Sequence, residues 1–281
     1  MFKYILYADD STLSTKFHET ELDTKVKLIN IELKRIYQWL CANKISINKE
    51  KTKFMVFSYN KNIKVSRIKI GPNLIAETNF VKFLGIYIDR HLTFKHHISE
   101  ISLKISRSVG LLYKLNKFLP QKILKMLYSS LVHPYLLYGV EAWFGTFKNQ
   151  TNKIFVLQKK AIRAINNLEY NDHTNNYFKS NNILKLQDLY NIQCCKYIYQ
   201  LLNMNVDFEM SETLNNNLNI HNHNTRMREM LNSVNVKKTR SKNNILHNGV
   251  QIWNSLPNEL QNLNSYYRFK NKSKKFYHGR Y

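Results

Sequence analysis

Apolar residues change their spacing once along this chain of 281 residues, and that change narrows the architectures open to it. Up to about residue 90 they fall in short clusters at strand spacing, around one long helical stretch. From about residue 95 they recur every three or four positions, the repeat of a helix face. The first part opens with "KYILY", "ADDS" and "TLST", which read as strand, tight turn and return strand of a hairpin over residues 3–16. A helix is expected over 20–42, where Leu22, Val26, Ile29, Leu33, Ile36 and Leu40 share one face and Asn43 is a suitable stop. Strands are expected at 45–48, 53–57, 63–70 and 75–77, with Gly71-Pro72-Asn73 turning between the last two, and a further strand pair within 81–89. The expected fold class is therefore α+β: a mostly antiparallel sheet with a covering helix, followed by a mostly helical remainder.

In that remainder, Ile98, Ile101, Ile105, Val109 and Leu112 mark one helix. Pro120 opens a second carrying Ile123, Leu124, Leu127 and Leu131, and Pro134 is expected to end it. A basic helix is expected at 151–167 and another near 183–203, with Leu186, Leu189, Ile192 and Leu201 inward. From 213 onward the chain is rich in Asn, Lys and Arg, apart from one apolar knot, "VQIWNSLPNEL"; Asn-rich runs such as "LNNNLNIHNHN" read as exposed loops. The expected domains are 1–92, 93–170 and 171–281.

Charge restricts the partners. Lys and Arg number 43 against 19 Asp and Glu, a formal net charge of +24. Lysine replacing other polar residues in an Asn/Lys/Ile-rich composition leaves the depletion of acids unexplained, so a polyanion partner is expected. The excess sits in the helical part: residues 101–180 hold 12 Lys or Arg against three acids, and 213–281 hold 12 against two. Tyrosine and phenylalanine are interleaved there, as in "SYYRFKNKSKKFY", a pattern suited to following a nucleic-acid backbone. Lys159, Lys160, Arg163, Lys272, Lys274 and Lys275 are the candidate nucleic-acid-binding residues, whereas Trp143 and Trp253 are read as core.

Other classes are disfavoured. Three cysteines, Cys41, Cys194 and Cys195, make no disulfide framework, so a reducing, intracellular setting (nuclear or cytoplasmic, not secreted) is expected. The apolar run over 123–144 is interrupted by Lys125, His133, Pro134 and Glu141 and reads as buried helices, not a membrane span. Cys194, Cys195, His221 and His223 match no zinc-finger spacing.

The chemistry-bearing feature is the pair Asp9 and Asp10. Two neighbouring carboxylates in a turn are often only a solvated turn. They are also hard oxygen ligands for Mg²⁺, the ion that stabilises both the attacking and the leaving oxygen in nucleotide transfer. Their neighbours along the chain decide between the two. Tyr7-Ala8-Asp9-Asp10, an amphipathic helix, Trp39, Asn43, Ile47, Asn48, Lys51 and Thr52, and then Phe83-Leu84-Gly85 occur in an order that resembles the reverse transcriptase of non-LTR (LINE-type) retrotransposons of the jockey and chicken-repeat-like groups. "LLYKLNKFLP", "LYSSLVHPYLLYG" and "LQKKAIRAI" resemble the thumb and connection of these enzymes. "GVQIWNSLP" with "FKNKSKKFY" resembles their C-terminal segment, without the cysteine-histidine knuckle of some relatives.

The resemblance implies the later part of a polymerase palm followed by a helical thumb. It implies that Asp9 ligates Mg²⁺ in a two-metal site and that Asp10 assists or lies behind it. Lys51 would neutralise or protonate the leaving pyrophosphate, unless it is simply a solvated turn lysine. Phe83, Leu84 and Gly85 would form the primer grip, unless they are an ordinary strand with a glycine bulge. RNA template, DNA primer and deoxynucleoside triphosphate are the implied partners. The family's third palm acid, its fingers and its template-contact glycine motif are not found in these residues, and Asp23 and Asp89 stand in the wrong context to replace the acid. The expectation is thus an RNA-directed DNA polymerase stretch inactive alone, with a non-catalytic nucleic-acid-binding remnant as the alternative. The strand "KYILY" is expected to carry an exposed apolar edge prone to aggregation.

Overall fold

The computed structural model describes residues 2–58, 60, 63, 65, 67–204, 214, 230–232 and 245–281. The chain divides into two compact units, residues 1–92 and 93–281.

In the first unit, Lys3–Tyr7 (β1) pairs antiparallel with Asp10–Ser14 (β2) from Lys3↔Ser14 to Tyr7↔Asp10. Leu22–Ala42 forms helix α1. Its stripe of apolar residues does what the spacing predicts. Val26 and Leu33 are buried with Ile68 and Ile70, while Leu22, Ile29 and Ile36 pack around them; Leu40 is left half-buried. Asn30 fastens the helix to the neighbouring strand, its Nδ2 donating to Arg67 O (3.2 Å) and its Oδ1 accepting from Lys69 N–H (2.8 Å). The helix ends in a Schellman arrangement. Ile45 N–H reaches Leu40 O (2.9 Å), Lys44 N–H reaches Cys41 O (3.1 Å), and Lys44 takes the left-handed conformation (φ 57°). Asn43 adds a side-chain bond to Trp39 O at 2.8 Å.

That ending removes one expected strand. Residues 45–48 leave the helix directly into an irregular segment, with Ile45 N–H spent on Leu40 O in the Schellman turn and Asn48 O on Thr52 N–H in the turn that follows. Two more strands are shorter than expected: Lys53–Phe54 (β3) and Lys69–Ile70 (β4). Asn73–Leu74 (β5), Ala76–Glu77 (β6), Phe80–Phe83 (β7) and Ile86–Asp89 (β8) complete the unit. Among the described residues the strands form four separate two-stranded ladders, not one sheet; β3–β6 is parallel and the other three are antiparallel. Gly71 turns β4 into β5 at φ +58°, and a Cβ there would lie 2.6 Å from the Tyr37 ring, so both backbone and space demand glycine.

The second unit is helical. Lys95–Leu115 (α2) buries all five residues of its expected face, Ile98, Ile101, Ile105, Val109 and Leu112. Gln121–Leu131 (α3) starts after Pro120. Pro134 does not terminate α3; it sits in the first turn of a short helix, His133–Leu137 (α4), where a missing N–H costs nothing. Val140–Trp143 (α5), Lys148–Asn166 (α6), Asn175–Ser180 (α7) and Leu186–Asn203 (α8) come next. Gln158 of α6 is wholly buried and fully used. Its Nε2 donates to Tyr128 Oη (3.0 Å) and Leu184 O (2.9 Å), and its Oε1 accepts from Leu186 N–H (2.9 Å), so one amide ties α3, α6 and the start of α8.

The apolar knot near the C-terminus becomes Val250–Asn254 (α9) and Asn258–Gln261 (α10), with Val250, Trp253, Leu256 and Leu260 buried. Tyr266–His278 (α11) lies against α8: Tyr199 stacks on Phe269 (centroids 4.6 Å), and Trp253 approaches Phe269 at 5.5 Å. Trp143 is also core, its Nε1 donating to Tyr138 O at 3.0 Å. The expected Asn-rich loops, and His221 and His223, lie outside the described residues.

Candidate active-site hairpin and nucleic-acid interface

The β1–β2 register leaves Ala8 and Asp9 as the two turn residues, with Asp10 already the first residue of the return strand. Ala8 sits at φ 50°, the positive φ that primed hairpin turns place at their first central position. Asp9 and Asp10 are exposed neighbours at this tip. They suit Mg²⁺ in one specific way: that ion is commonly held through one or two carboxylates, with water and substrate phosphates completing its octahedron. The fit is to an ion shared with a substrate and not to a protein cage. Among the described residues no group of three or more His, Cys, Asp or Glu side chains comes together.

Lys51 is exposed on a turn that Asn48 organises. Asn48 Oδ1 accepts the N–H groups of Glu50 and Lys51 (both 3.1 Å), and Thr52 Oγ1 donates to Asn48 O (2.8 Å). This positioning role for Asn48 was not assigned from sequence, although an Asn opening an N-x-x-K-T turn carries the signal.

Phe83, Leu84 and Gly85 are not a strand with a glycine bulge. Phe83↔Ile86 closes the β7–β8 ladder, so Leu84 and Gly85 form a two-residue turn, both at positive φ (44° and 84°). Glycine accepts that conformation freely; a leucine there is strained. Each of the three features thus occupies its own turn of the first unit.

The candidate cations divide into two kinds. On α6, Lys159 and Lys160 are half-buried, with Lys159 Nζ 5.1 Å from the Phe155 ring centroid. Arg163 is engaged: its Nε and Nη2 donate to Asp172 O (3.2 and 3.0 Å). On α11, Phe269, Ser273 and Tyr277 face inward, and Arg268, Lys270, Lys272, Lys274 and Lys275 are all exposed on a helix with no acid in its sequence. The α11 cations are therefore freely offered, unlike Arg163. Cys194 and Cys195 are buried thiols, each pushed up to about 12 by burial, whereas Cys41 is exposed. Among the described residues no helix is long and apolar enough to cross a membrane.

Sequence reasoning also missed two nearly naked aromatic rings of the second unit, Phe118 (80% exposed) and Tyr170 (73%). The signal available was an aromatic beside turn residues, in "NKFLP" and "LEYND".

The chain resembles the RNA-directed DNA polymerases of non-LTR transposable elements. It is similar to the RNA-directed DNA polymerase from mobile element jockey of Drosophila melanogaster, with 30% identity over 200 residues, covering 69% of this chain and 21% of that protein. The jockey polymerase of Drosophila funebris is 29% identical over 163 residues, or 57% of this chain and 17% of that protein. The probable RNA-directed DNA polymerase from transposon BS of Drosophila melanogaster is 30% identical over 106 residues, 37% of this chain and 12% of that protein. The chain spans about a fifth of the length of the jockey polymerases it matches. No protein-family model and no solved structure matches it.

Proposed function

We propose that these 281 residues form the palm-to-thumb stretch of an RNA-directed DNA polymerase, binding RNA template and DNA primer without polymerising by themselves. The observation that carries this reading is the exposed Asp9–Asp10 pair at a hairpin tip, in a chain 30% identical over 200 residues to a jockey polymerase. In this reading residues 1–92 are part of a palm, 93–170 a thumb and connection, and 171–281 a basic C-terminal region.

Asp9 would hold Mg²⁺, with Asp10 beside it assisting or lying behind it. The ion, when bound, neutralises charge on the attacking and leaving oxygens. Lys51, presented by the Asn48 turn, offers a positive charge to the departing pyrophosphate. The Leu84-Gly85 turn lies against the primer end, where a strained backbone is worth keeping for its shape. The α11 cations track the phosphate backbone. The nucleoside triphosphate needs a third carboxylate and finger elements, which the reading assigns to residues outside this stretch. An intracellular location, nuclear or cytoplasmic, is implied by the template and primer.

A second reading, a nucleic-acid-binding protein without chemistry, is supported by the five exposed α11 cations. Two assays test the pair. Binding of an RNA–DNA primer–template is measured across salt: the log of the affinity should fall linearly with log salt, by roughly 0.9 for each phosphate neutralised on duplex DNA, and a flat response rejects both readings. Primer extension by the chain alone should give no product. Template-dependent product abolished by Asp9→Asn would overturn the inactivity while upholding the role of Asp9.

A further inference from the structure

Phe118 and Tyr170 belong to the same end of the helical unit. Phe118 lies in the turn between α2 and α3, and Tyr170 in the turn after α6. The two turns are joined side by side: Asn116 Nδ2 donates to Asn167 Oδ1 (3.3 Å), and Gln121 Nε2 donates to Asn166 Oδ1 (2.6 Å). Both turns are braced. Phe118 N–H and Leu119 N–H bond Leu115 O at 3.0 and 2.9 Å. Asp172 Oδ2 accepts Glu169 N–H (2.8 Å), and the Arg163 guanidinium grips Asp172 O from α6. Each ring is thus displayed on a fixed support.

Cations flank Phe118. Lys114, Lys117 and Lys122 are exposed on and beside the α2–α3 turn, and the charge of Arg163 reaches the Tyr113 hydroxyl. The acids at this end are Glu169 and Asp172, and the latter's Oδ2 is used within its own turn. Lys122 stands in the first turn of α3; for Lys114 and Lys117, at the C-terminal end of α2, the helix dipole is an ordinary explanation. It does not account for two aromatic rings left 80% and 73% exposed beside them. Flat rings on rigid turns amid positive charge match the chemistry of unpaired nucleic acid, whose bases stack on aromatic faces while its phosphates meet lysine.

The geometry points to a single-strand binding site at this end of the helical unit, in which Phe118 and Tyr170 stack bases and Lys114, Lys117 and Lys122 contact the phosphates. It rests on the nucleic-acid reading above and goes beyond it by separating single-strand from duplex contacts.

The full chain is titrated with labelled oligothymidylate and, separately, with a DNA duplex. Phe118→Ala and Tyr170→Ala should each weaken single-strand binding by about fivefold or more and leave duplex binding unchanged. Phe118→Trp should retain single-strand binding. Both sites are exposed, so the variants fold as the parent does. Equal losses on both ligands, or no loss on either, overturn the inference. So does a parent chain that self-associates through these rings and becomes monomeric in the double variant, since the patch is then a protein interface. If the parent binds neither ligand, the nucleic-acid reading itself falls; if it binds both but ignores the rings, only this inference does.

Discussion

Tyr7 and Asp10 are the last paired residues of the β1–β2 ladder, so the turn that carries Asp9 is only two residues long. A tip this short holds the two carboxylates side by side. The same ladder exposes the strand that precedes it. Tyr4 and Leu6 point to one face of β1 and Ile5 and Tyr7 to the other, and all four are between 47% and 73% exposed. A strand apolar on both faces is built to be covered on both. Here it makes the isolated chain prone to self-association through the hairpin. Leu6→Lys should raise the concentration at which the chain stays monomeric, as read by light scattering, and leave helix content unchanged.

Gly71 faces two demands at once, a left-handed backbone and the Tyr37 ring 2.6 Å from where a Cβ would lie. Gly71→Ala should destabilise the first unit by about 2 kcal/mol. Tyr37→Ala in the same chain should recover the steric part and leave the backbone part, so a double-mutant cycle in urea should show coupling between the two sites.

Gln158 satisfies Tyr128 Oη, Leu184 O and Leu186 N–H with one buried amide. Gln158→Met keeps the volume and strips the partners. The expected loss is about 3 kcal/mol. That corresponds to a fall in melting temperature of roughly 6–12 °C for a unit of this size, measured by calorimetry.

His97 is buried in the second unit beside Trp143, and burial, followed by the charges of Lys104 and His96, lowers it from 6.5 to about 4. The unfolded chain therefore takes up this proton first as pH falls. The stability that neutral His97 allows is complete above pH 6.5, is lost progressively down to about pH 4, and levels off below. His133, lowered chiefly by burial, acts in the same direction. In denaturant titrations across that range, His97→Gln should flatten the pH dependence.

Helix faces were legible because each needs only a repeat of apolar residues; α2 and α8 bury the positions their spacing marks, and α1 buries Val26 and Leu33 with Leu22, Ile29 and Ile36 packed around them. The strands were less legible. In 45–48 the apolar alternation is present, but Ile45 N–H is spent on Leu40 O in the Schellman ending and Asn48 O on Thr52 N–H. In β3 and β4 only two residues find a partner strand. Of the site, the residue types and the turn at Asp9 could be read directly. The left-handed Leu84 could not, because nothing in leucine's chemistry announces a positive φ. Nor could the Arg163 grip on Asp172 O, which turns an apparently free cation into a loop brace.

The most direct test of the central claim replaces the matching stretch of the Drosophila melanogaster jockey polymerase with this chain and measures RNA-templated primer extension by the chimaera. The account predicts extension that is lost on Asp9→Asn and kept on Glu259→Gln, at an exposed acid of α10. Extension that survives Asp9→Asn would contradict it. So would a folded chimaera that makes no product while the jockey polymerase with its own stretch does.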